Sequence, residues 1–406
     1  MFIDENLTIT SPKGFKASGI HCGLKKNINK NDLALIYSET LADCCGVYTK
    51  NKVKGAPLTV TKNHLNNNKA QAIIINSGNA NTCTGDDGLY KAKQMTCLCA
   101  KELNLTPNDV LVASTGVIGI PLNIDAIKSG IPSLVSNLST SPTNDAAKAI
   151  MTTDTLEKQS GVTFKINGKE ITLSAMCKGS GMIHPNMATM LSFITTDLSI
   201  SAELLNQALR ESVNVSYNRI SVDGDSSTND MVLIMANGLA NNETITEKND
   251  DYTLFLKALT ELNIHLAKKI VKDGEGATKL IECTVKNANS INDAEIMAKS
   301  VINSSLVKAA IFGSDANWGR ILCALGYSNI DFDPNKVDIS FSNKIGELLV
   351  CKSGASFNFD EVKAKEILLE DEVKILIDIH LGNSYATAWG CDLTYDYVRI
   401  NGDYRS

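Results

Sequence analysis

The chain has 406 residues and a formal net charge of −6, with 43% hydrophobic, 21% charged and 5% aromatic residues. Such values are typical of a soluble globular protein and exclude a disordered or collagen-like chain. The acidic balance and the low aromatic content argue against a nucleic-acid-binding protein. No apolar run approaches the roughly 18 residues of a membrane span, and the first ten residues lack the basic start of a secretory signal.

The eleven cysteines follow no pattern that indicates disulfides or a zinc site. No Cys-x-x-Cys pair occurs, and an odd number of unpatterned cysteines is typical of a protein in the reducing cytoplasm. We expect most of them to be buried as small hydrophobic side chains. The five histidines are far apart in the sequence and form no His-Glu-x-x-His motif, so no metal site is expected.

Short apolar runs of strand length alternate with longer helical patterns along the chain. β-branched runs bounded by Gly, Asn or Pro predict strands at residues 32–38, 70–76, 109–114, 171–176, 191–195, 230–236, 278–286, 337–341, 373–380 and 385–391. Apolar residues at helical spacing predict helices at residues 88–103, 124–136, 202–215, 251–270 and 294–301. Pro132 argues against a helical last turn in the second helix, and Ser201 is a good N-cap for the third. The mixture predicts an α/β or α+β fold of layered sheets and helices.

Five segments rich in Gly, Asn, Asp, Ser and Thr lie beside the strand patterns. They are residues 76–85, 114–119, 178–189, 221–230 and 272–277. Any one of them is typical of a simple turn, but five together predict a polar cleft at the ends of strands. None matches the GxxxxGK[ST] or GxGxxG pattern of a phosphate-binding loop.

The segment at residues 178–189 ends with Thr189, close to the start of a predicted strand. A threonine hydroxyl is a weak nucleophile unless a base lies beside it. If the bond between Ala188 and Thr189 is cleaved, the new α-amine, with an ordinary pKa of about 7.7–8.0, can accept the hydroxyl proton. The small residue before the threonine and the glycine-rich approach fit the bending that self-cleavage requires. On these residues alone, an ordinary threonine at a strand start remains the default.

Eight segments carry a resemblance that covers nearly the whole chain. The chain resembles the ornithine acetyltransferase/glutamate N-acetyltransferase family of arginine biosynthesis. The segments are NSGNANTCTG (76–85), STGVIG (114–119), IMTTDT (150–155), KGSGMIHPNMATML (178–191), NRISVDGDSSTND (218–230), KDGEGATKL (272–280), FGSDANWGR (312–320) and NGDYRS (401–406). Ala316 stands where many members are expected to have proline, a change that alters a turn and leaves the assignment in place.

The resemblance implies a self-processing enzyme of the N-terminal-nucleophile kind. Cleavage between Ala188 and Thr189 would give an α chain of residues 1–188 and a β chain of residues 189–406. The two chains would remain associated, with two copies of each in the assembly. The implied fold is an α/β (α+β) layered sandwich of two interlocked lobes formed by both chains. Residue 188 would then mark a processing site within one shared core and not a domain boundary.

The resemblance also assigns the site residues. Thr189 would be the nucleophile, while Thr115 and Gly116 would stabilise the oxyanion. We infer that Lys178 pairs with a substrate carboxylate and Glu275 with a substrate ammonium group. Without the resemblance, both charges would be regarded as solvated and the last residues as a frayed tail. The full set implied for substrate binding is Thr152, Lys178, Thr189, Glu275, Asn401 and Ser406.

The predicted function is transfer of an acetyl group from N-acetylornithine to glutamate in two steps. Ornithine leaves as Thr189 becomes acetylated, and the amine of glutamate then takes the acetyl group to give N-acetylglutamate. Some family members also accept acetyl-CoA as the donor, and we expect this bifunctional form here, with no permanently bound cofactor. The alternatives are a monofunctional ornithine acetyltransferase, an N-terminal-threonine aminopeptidase or amidohydrolase, and an uncleaved amino-acid-binding protein.

Two other patterns have simpler explanations. Cys177 and His184 are candidates for a nucleophilic pair, but Cys177 ends an apolar strand pattern and is expected in the core. Asp223, Asp225 and Asp230 share one loop without the glutamate that a calcium loop carries at its twelfth position. We therefore expect turn and N-cap roles for these aspartates.

Overall fold

The computed structural model describes residues 1–141, 144–184 and 190–402. Within these ranges the chain forms fifteen β-strands and eleven α-helices. The strands are β1 (Phe15–Ile20), β2 (Leu33–Tyr48), β3 (Lys69–Asn76), β4 (Val110–Ser114), β5 (Lys158–Ile166), β6 (Lys169–Lys178), β7 (Leu191–Thr196), β8 (Ile220–Ser221), β9 (Met231–Ala236), β10 (Leu280–Ala288), β11 (Asp338–Asn343), β12 (Gly346–Lys352), β13 (Ala355–Ser356), β14 (Glu372–Asp378) and β15 (Ser384–Cys391). The helices are α1 (Ala56–His64), α2 (Gly85–Leu103), α3 (Ile124–Ser136), α4 (Asp145–Ala149), α5 (Ala202–Val215), α6 (Asp250–Lys272), α7 (Ile291–Asn303), α8 (Ser305–Phe312), α9 (Trp318–Gly326), α10 (Glu361–Leu369) and α11 (Tyr395–Gly402). None of these helices is long and apolar enough to cross a membrane.

The first sheet contains eight of the described strands, in the order β4-β3-β2-β9-β7-β6-β5, with β1 beside β2. The long strand β2 pairs mainly through its first half with β3 and through its second half with β9, both antiparallel. The register shifts between Tyr37 and Ala42, and such an irregularity bends a strand. Buried side chains of β3 and β4 meet those of β7 and β9 in one hydrophobic cluster, so the two halves of the sheet pack face to face.

Helices cover both outer faces of this folded sheet. On one side, α2 and α3 pack on β2, β3 and β4. On the other side, α5 and α6 pack on β5, β6, β7 and β9. Successive residues of a strand point to opposite faces, so Leu35 contacts the helix layer while Ile36 lies between the sheet halves. The arrangement is a helix–sheet–sheet–helix sandwich.

The second sheet has seven strands in the described ranges, in the order β13-β12-β11-β14-β10-β15-β8. Its core is formed with α7, α8, α9 and α10 and includes Phe341 and Ile375. Helix α6 contacts β5 and β6 of the first sheet and β10 and β15 of the second. This helix therefore joins the two lobes.

The first sheet draws strands from both sides of residue 188. β7 and β9 follow that residue in the chain, yet they lie between β2 and β6, which precede it. The segments on either side of residue 188 therefore share one sheet, whereas all strands of the second sheet come from the later segment. Ala188 and Thr189 themselves lie outside the described residues, so processing into residues 1–188 and 189–406 stays a prediction.

The layered α/β fold predicted from the sequence is confirmed. Each predicted strand and helix overlaps an observed element, although β2 extends well beyond its predicted end. Ser201 caps α5 by accepting a hydrogen bond from a backbone N–H of its first turn. The predicted bounds of α3, residues 124–136, are confirmed, although Pro132 argued against a helical last turn. The helix continues past Pro132 because Ile131 and Leu134 are buried against the sheet, and this packing offsets the missing hydrogen bond.

Phe193 tests the packing between the two halves of the first sheet. Its ring lies on β7 and is fully buried in the cluster that joins the halves. We expect Phe193→Ala to lower the free energy of unfolding by about 3–5 kcal/mol, because it removes buried apolar surface and leaves a cavity. Leu369→Ala, at a side chain that is 62% exposed, should change this free energy by less than about 0.5 kcal/mol. Urea unfolding followed by circular dichroism measures both, and equal losses would contradict this account of the core.

Candidate active site

A polar cleft lies where several strands of the first sheet end or begin. β3, β4 and β6 end at Asn76, Ser114 and Lys178, while β7 and β9 begin at Leu191 and Met231. The loops beyond these strand ends line a cleft with an empty volume of about 630 Å³. Each of the five polar segments singled out in the sequence contributes to its lining. The prediction of a cleft at the strand ends is therefore confirmed.

Most of the predicted site residues line this one cleft, although they come from distant parts of the sequence. Those in its lining are Thr115, Gly116, Thr152, Lys178, Glu275 and Asn401. Met182 lines the cleft as well, and Met190 lines a small inner chamber that adjoins it. The described chain on either side of Thr189 is therefore at the cleft. Ala188, Thr189 and Ser406 lie outside the described residues.

The loop after β4 presents hydrogen-bond donors to the cleft. The N–H of Thr115 donates to the carbonyl O of Asn76 at 3.0 Å, which holds the start of the loop. Gly116 has a φ of +130°, and a Cβ at this position would overlap the backbone of Gly78. Within the described part of the chain, the Thr115 hydroxyl and the Gly116 N–H donate to no other group. Both donors are thus available to a ligand oxygen.

The side chain of Asn229 fixes this donor loop. Its Nδ2 donates to the carbonyl O of Ala80 at 2.5 Å and to that of Ser114 at 2.9 Å. Its Oδ1 accepts hydrogen bonds from the hydroxyls of Thr82 and Thr228. No motif in the sequence marks Asn229 as a site residue, although it belongs to the polar segment at residues 221–230. Its position in a polar segment just before an apolar strand pattern is the feature of the sequence that could have indicated a role at the cleft.

A buried cluster of charges supports the end of β6. Asp154 accepts hydrogen bonds from the N–H of Gly179 at 2.7 Å, the N–H of Thr152 at 3.0 Å and Nζ of Lys158 at 2.8 Å. Burial alone would raise the pKa of Asp154, but the charges of Lys178 and Lys158 outweigh it and hold that pKa well below its ordinary value. Lys178 is only 8% exposed, and its ammonium forms no ion pair within the described residues. It is therefore a buried cation available to an anionic group in the cleft.

Glu275 supplies the opposite charge. It is 8% exposed, and its carboxylate accepts a hydrogen bond from Nδ2 of Asn401 at 2.7 Å. The carboxylate packs on the backbone of Gly181, where an added Cβ would overlap it. The N–H of Glu275 donates to the carbonyl O of Ser180 at 3.0 Å, which fixes the backbone beside it. Lys178 and Glu275 are therefore not solvated surface charges, and the cleft suits a ligand that carries both signs of charge.

The C-terminal helix α11 is held against the cleft. The hydroxyl of Thr394 donates to the carbonyl O of Gly276 at 2.7 Å, and the hydroxyl of Tyr397 donates to Oδ2 of Asp223 at 3.3 Å. Burial, together with the nearby charge of Asp223, raises the pKa of Tyr397, so the phenol stays a neutral donor. Asn401 is thus part of the site and not of a frayed tail. The hydrogen bond from Asn401 to Glu275 therefore holds the described end of the chain at the cleft.

The simpler explanations are supported for Cys177 and Asp223. Cys177 is buried in the core on β6, and burial raises the pKa of its thiol to about 12, which makes it a poor nucleophile. Asp223 has a turn role, because its Oδ1 accepts a hydrogen bond from the N–H of Asp225 at 3.2 Å. It also accepts hydrogen bonds from the N–H groups of Met182 and Ile183 in the loop after β6. Asp230 differs from this expectation and is considered below. In the ranges that the structure describes, no cluster of His, Cys, Asp or Glu is suited to a metal ion.

A loop with two available hydrogen-bond donors thus shares one cleft with a buried lysine and a buried glutamate, an arrangement that can bind a small ligand carrying both signs of charge. The model of the ArgJ family matches residues 16–406. The chain is 56% identical over 401 residues to the arginine biosynthesis bifunctional protein ArgJ 1 of Clostridium acetobutylicum, which covers 99% of this chain and 98% of the relative. It is 54% identical over 398 residues to the arginine biosynthesis bifunctional protein ArgJ of Caldanaerobacter subterraneus, with 98% of each covered.

Among solved structures, the arginine biosynthesis bifunctional protein ArgJ of Bacillus halodurans is 50% identical, with a TM-score of 0.51. The match covers 53% of this chain and 100% of that chain. The chain described here belongs to the ArgJ family. The family predicted from the sequence is thereby confirmed, and with it the assignment to arginine biosynthesis.

Gly116 tests the donor loop. Gly116→Ala should lower kcat for acetyl transfer by about 100–1,000-fold, because the added Cβ displaces the loop and misplaces an oxyanion donor. Gly119→Ala is a matched control, since Gly119 also has a positive φ, of +81°, but has open space around it. It should cost about 1–2 kcal/mol of stability from backbone strain and leave kcat nearly unchanged. A similar loss of kcat in both variants would show that strain alone accounts for the effect.

Proposed function

We propose that the protein transfers the acetyl group of N-acetylornithine to glutamate by a ping-pong mechanism with Thr189 as the nucleophile. The carrying observation is the convergence of Thr115, Gly116, Lys178 and Glu275 on one cleft that the chain also borders on both sides of Thr189. Acyl transfer needs a nucleophile, donors for the oxyanion and charges that orient the substrate. The described residues supply the oxyanion donors and the orienting charges, and the sequence supplies the nucleophile, Thr189.

The nucleophile is generated when the chain cleaves itself between Ala188 and Thr189. The α-amine released on Thr189 then accepts the proton of its own hydroxyl. The length of the Bacillus halodurans chain supports this scheme, because 53% of the present chain matches it in full. Residues 189–406 make up a similar fraction of the present chain. The α and β chains stay together in one sheet, and we include two copies of each in the proposed assembly.

The charges of the cleft orient the substrates. The ammonium of Lys178 binds the α-carboxylate, which N-acetylornithine and glutamate share. The carboxylate of Glu275, positioned by Asn401, binds the side-chain ammonium of N-acetylornithine. Thr152, held by Asp154 beside Lys178, and Ser406 at the chain end complete the proposed binding set. The donors at Thr115 and Gly116 stabilise the oxyanion in both half-reactions, each contributing about 2.7–4 kcal/mol.

Acetyl-CoA is proposed as a second acetyl donor. The relatives from Clostridium acetobutylicum and Caldanaerobacter subterraneus are named bifunctional. In this reaction, acetyl-CoA replaces N-acetylornithine in the first half-reaction, and glutamate again accepts the acetyl group. Acetyl-CoA would act as a substrate in this reaction, and the protein would use no permanently bound cofactor. Incubation with acetyl-CoA and glutamate, with detection of N-acetylglutamate, tests this second activity.

We place the reaction in the cytoplasm, where the free cysteines stay reduced.

Intact mass tests the nucleophile. The 43.7 kDa chain should give two species of about 20 and 23 kDa, and N-acetylornithine should add about 42 Da to the larger. Thr189→Ala should remain whole, gain no acetyl group and lose transfer activity. Release of ornithine should require glutamate after the first turnover. Ornithine release that ignores glutamate would instead identify an amidohydrolase, and a wild-type chain that remains whole yet active would exclude the N-terminal nucleophile.

Glu275→Gln tests the assignment of charges. The substitution keeps the size and the hydrogen bond to Asn401 but removes the negative charge. We expect kcat/KM for N-acetylornithine to fall by about 10–100-fold, the value of a lost charge-assisted hydrogen bond. The glutamate half-reaction, measured with pre-acetylated enzyme, should change much less because glutamate has no side-chain ammonium. Equal effects on both half-reactions would contradict the pairing of Glu275 with that ammonium group.

A further inference from the structure

The carboxyl group of Asp230 has no part in the function described so far. Asp230 directly precedes β9 and is 2% exposed. Within the described part of the chain, its Oδ2 has no hydrogen-bond partner. A buried carboxyl oxygen without a partner costs free energy, so it calls for a specific explanation. In contrast, Asp223 of the same loop accepts hydrogen bonds from backbone N–H groups.

Asp230 lies in the small inner chamber beneath the cleft. The chamber has an empty volume of about 250 Å³. The N–H of Met231, the residue after Asp230, donates to the carbonyl O of Met190 at 3.0 Å. Thr189 precedes Met190 in the sequence, so the backbone next to Asp230 is tied to the residue that follows the proposed nucleophile. Residues that line the chamber include Thr115, Lys178, Met190, Asn229 and Asp230.

Self-cleavage needs a base other than the α-amine that the mature enzyme uses. Before cleavage, the nitrogen of Thr189 belongs to a peptide bond and accepts no proton, so the α-amine that serves later turnover does not yet exist. The other carboxylates around the cleft are engaged. Asp154 accepts three hydrogen bonds, and Glu275 accepts one from Asn401. Asp230 is the carboxyl group in the described lining that has a fully buried oxygen without a hydrogen-bond partner.

We propose that Asp230 carries the proton during self-cleavage of the bond between Ala188 and Thr189, an inference that rests on the proposed function. The carboxylate accepts the hydroxyl proton as Oγ of Thr189 bonds to the carbonyl carbon of Ala188. It returns the proton to the nitrogen of Thr189 as the C–N bond breaks, which gives an ester and a free α-amine. Water then hydrolyses the ester and leaves a carboxyl group on Ala188 and a hydroxyl on Thr189.

The surroundings of Asp230 suit a proton carrier. Burial raises the pKa of Asp230 well above its ordinary value, while the nearby hydroxyls of Ser227 and Thr49 and the charge of Lys178 oppose the rise. Once ionised, a carboxylate with a raised pKa is a stronger base than an exposed one. The carboxylate fraction grows as pH rises through the raised pKa, so wild-type cleavage should accelerate over that pH range. A variant without the carboxyl group should lack this acceleration.

The rate of self-cleavage in the full-length chain tests the proposal. Asp230→Asn keeps the size of the side chain and removes its basicity. We expect its 43.7 kDa precursor to persist after cell-free synthesis, with cleavage at least about 100-fold slower by intact mass. Asp225→Asn is the matched control, because it makes the same change at an exposed carboxylate of the same loop. It should cleave at the wild-type rate.

A second variant separates chemistry from folding. Asp230→Gly opens space in the chamber, and sodium formate, but not sodium chloride, should restore its cleavage in proportion to concentration. The proposal is overturned if Asp230→Asn cleaves within about tenfold of the wild-type rate. It is also overturned if formate does not restore the cleavage of Asp230→Gly. A third contrary outcome is an uncleaved Asp230→Asn variant that no longer unfolds cooperatively on heating, because the carboxyl group would then serve only the fold. A wild-type chain that is never cleaved would contradict the proposed function itself.

Discussion

The antiparallel pairing of β2 with β9 is the interaction on which the rest of the molecule depends. Asp43 to Tyr48 of β2 lie opposite Ala236 to Met231 of β9, across almost two hundred residues of chain. This pairing places a strand from the later segment against the long strand of the earlier one. The loop before β9 then meets the loops after β3 and β4, and Asn229 bonds to Ser114 and Ala80. Without this register, the donors and the charges of the cleft would lie on separate surfaces.

Polar contacts between loops, and not apolar packing, determine the geometry of the cleft. Asn229 joins three loops, and Asp154 joins the Thr152 loop to the end of β6. Buried polar networks in which each member has its partners are rigid, because a displaced member would leave an unpaired group in a medium of low dielectric constant. Rigid donors stabilise a developing oxyanion without reorganising during the reaction. The same contacts that hold the loops therefore prepare the site for acyl transfer.

The sequence predicts much of the fold and most of the site, for reasons that are local. β-branched runs such as β3 and β10 are strands because these side chains fit a pleated, buried surface. The motifs around Thr115, Lys178 and Glu275 identify site residues because the resemblance assigns them one by one. The pairing of β2 with β9 has no local signal, since any two buried strands of similar length satisfy the same pattern.

The individual errors have the same physical origin. Pro132 breaks a local rule, and only the burial of Ile131 and Leu134 explains why α3 continues. Asp223 and Asp230 share one polar loop in the sequence, yet one accepts hydrogen bonds from the backbone and the other is buried with an oxygen unpaired. Asn229 is an ordinary amide in the sequence and becomes a link between loops only in the fold. Tertiary contacts determine the role of each of these residues, and a short stretch of sequence does not reveal such contacts.

The interlocked sheet also explains how the proposed cleavage is compatible with stability. Cutting one peptide bond after residue 188 leaves β9 hydrogen-bonded to β2 and β7 hydrogen-bonded to β6. Separation of the two chains would expose the hydrophobic clusters on both faces of the sheet, at about 25 cal/mol for each Å² of apolar surface. The cleft forms only when both segments are folded together, because its donors and charges come from both. A nucleophile produced by self-cleavage within that cleft is therefore made only in a chain that has already completed its fold, which couples activity to folding.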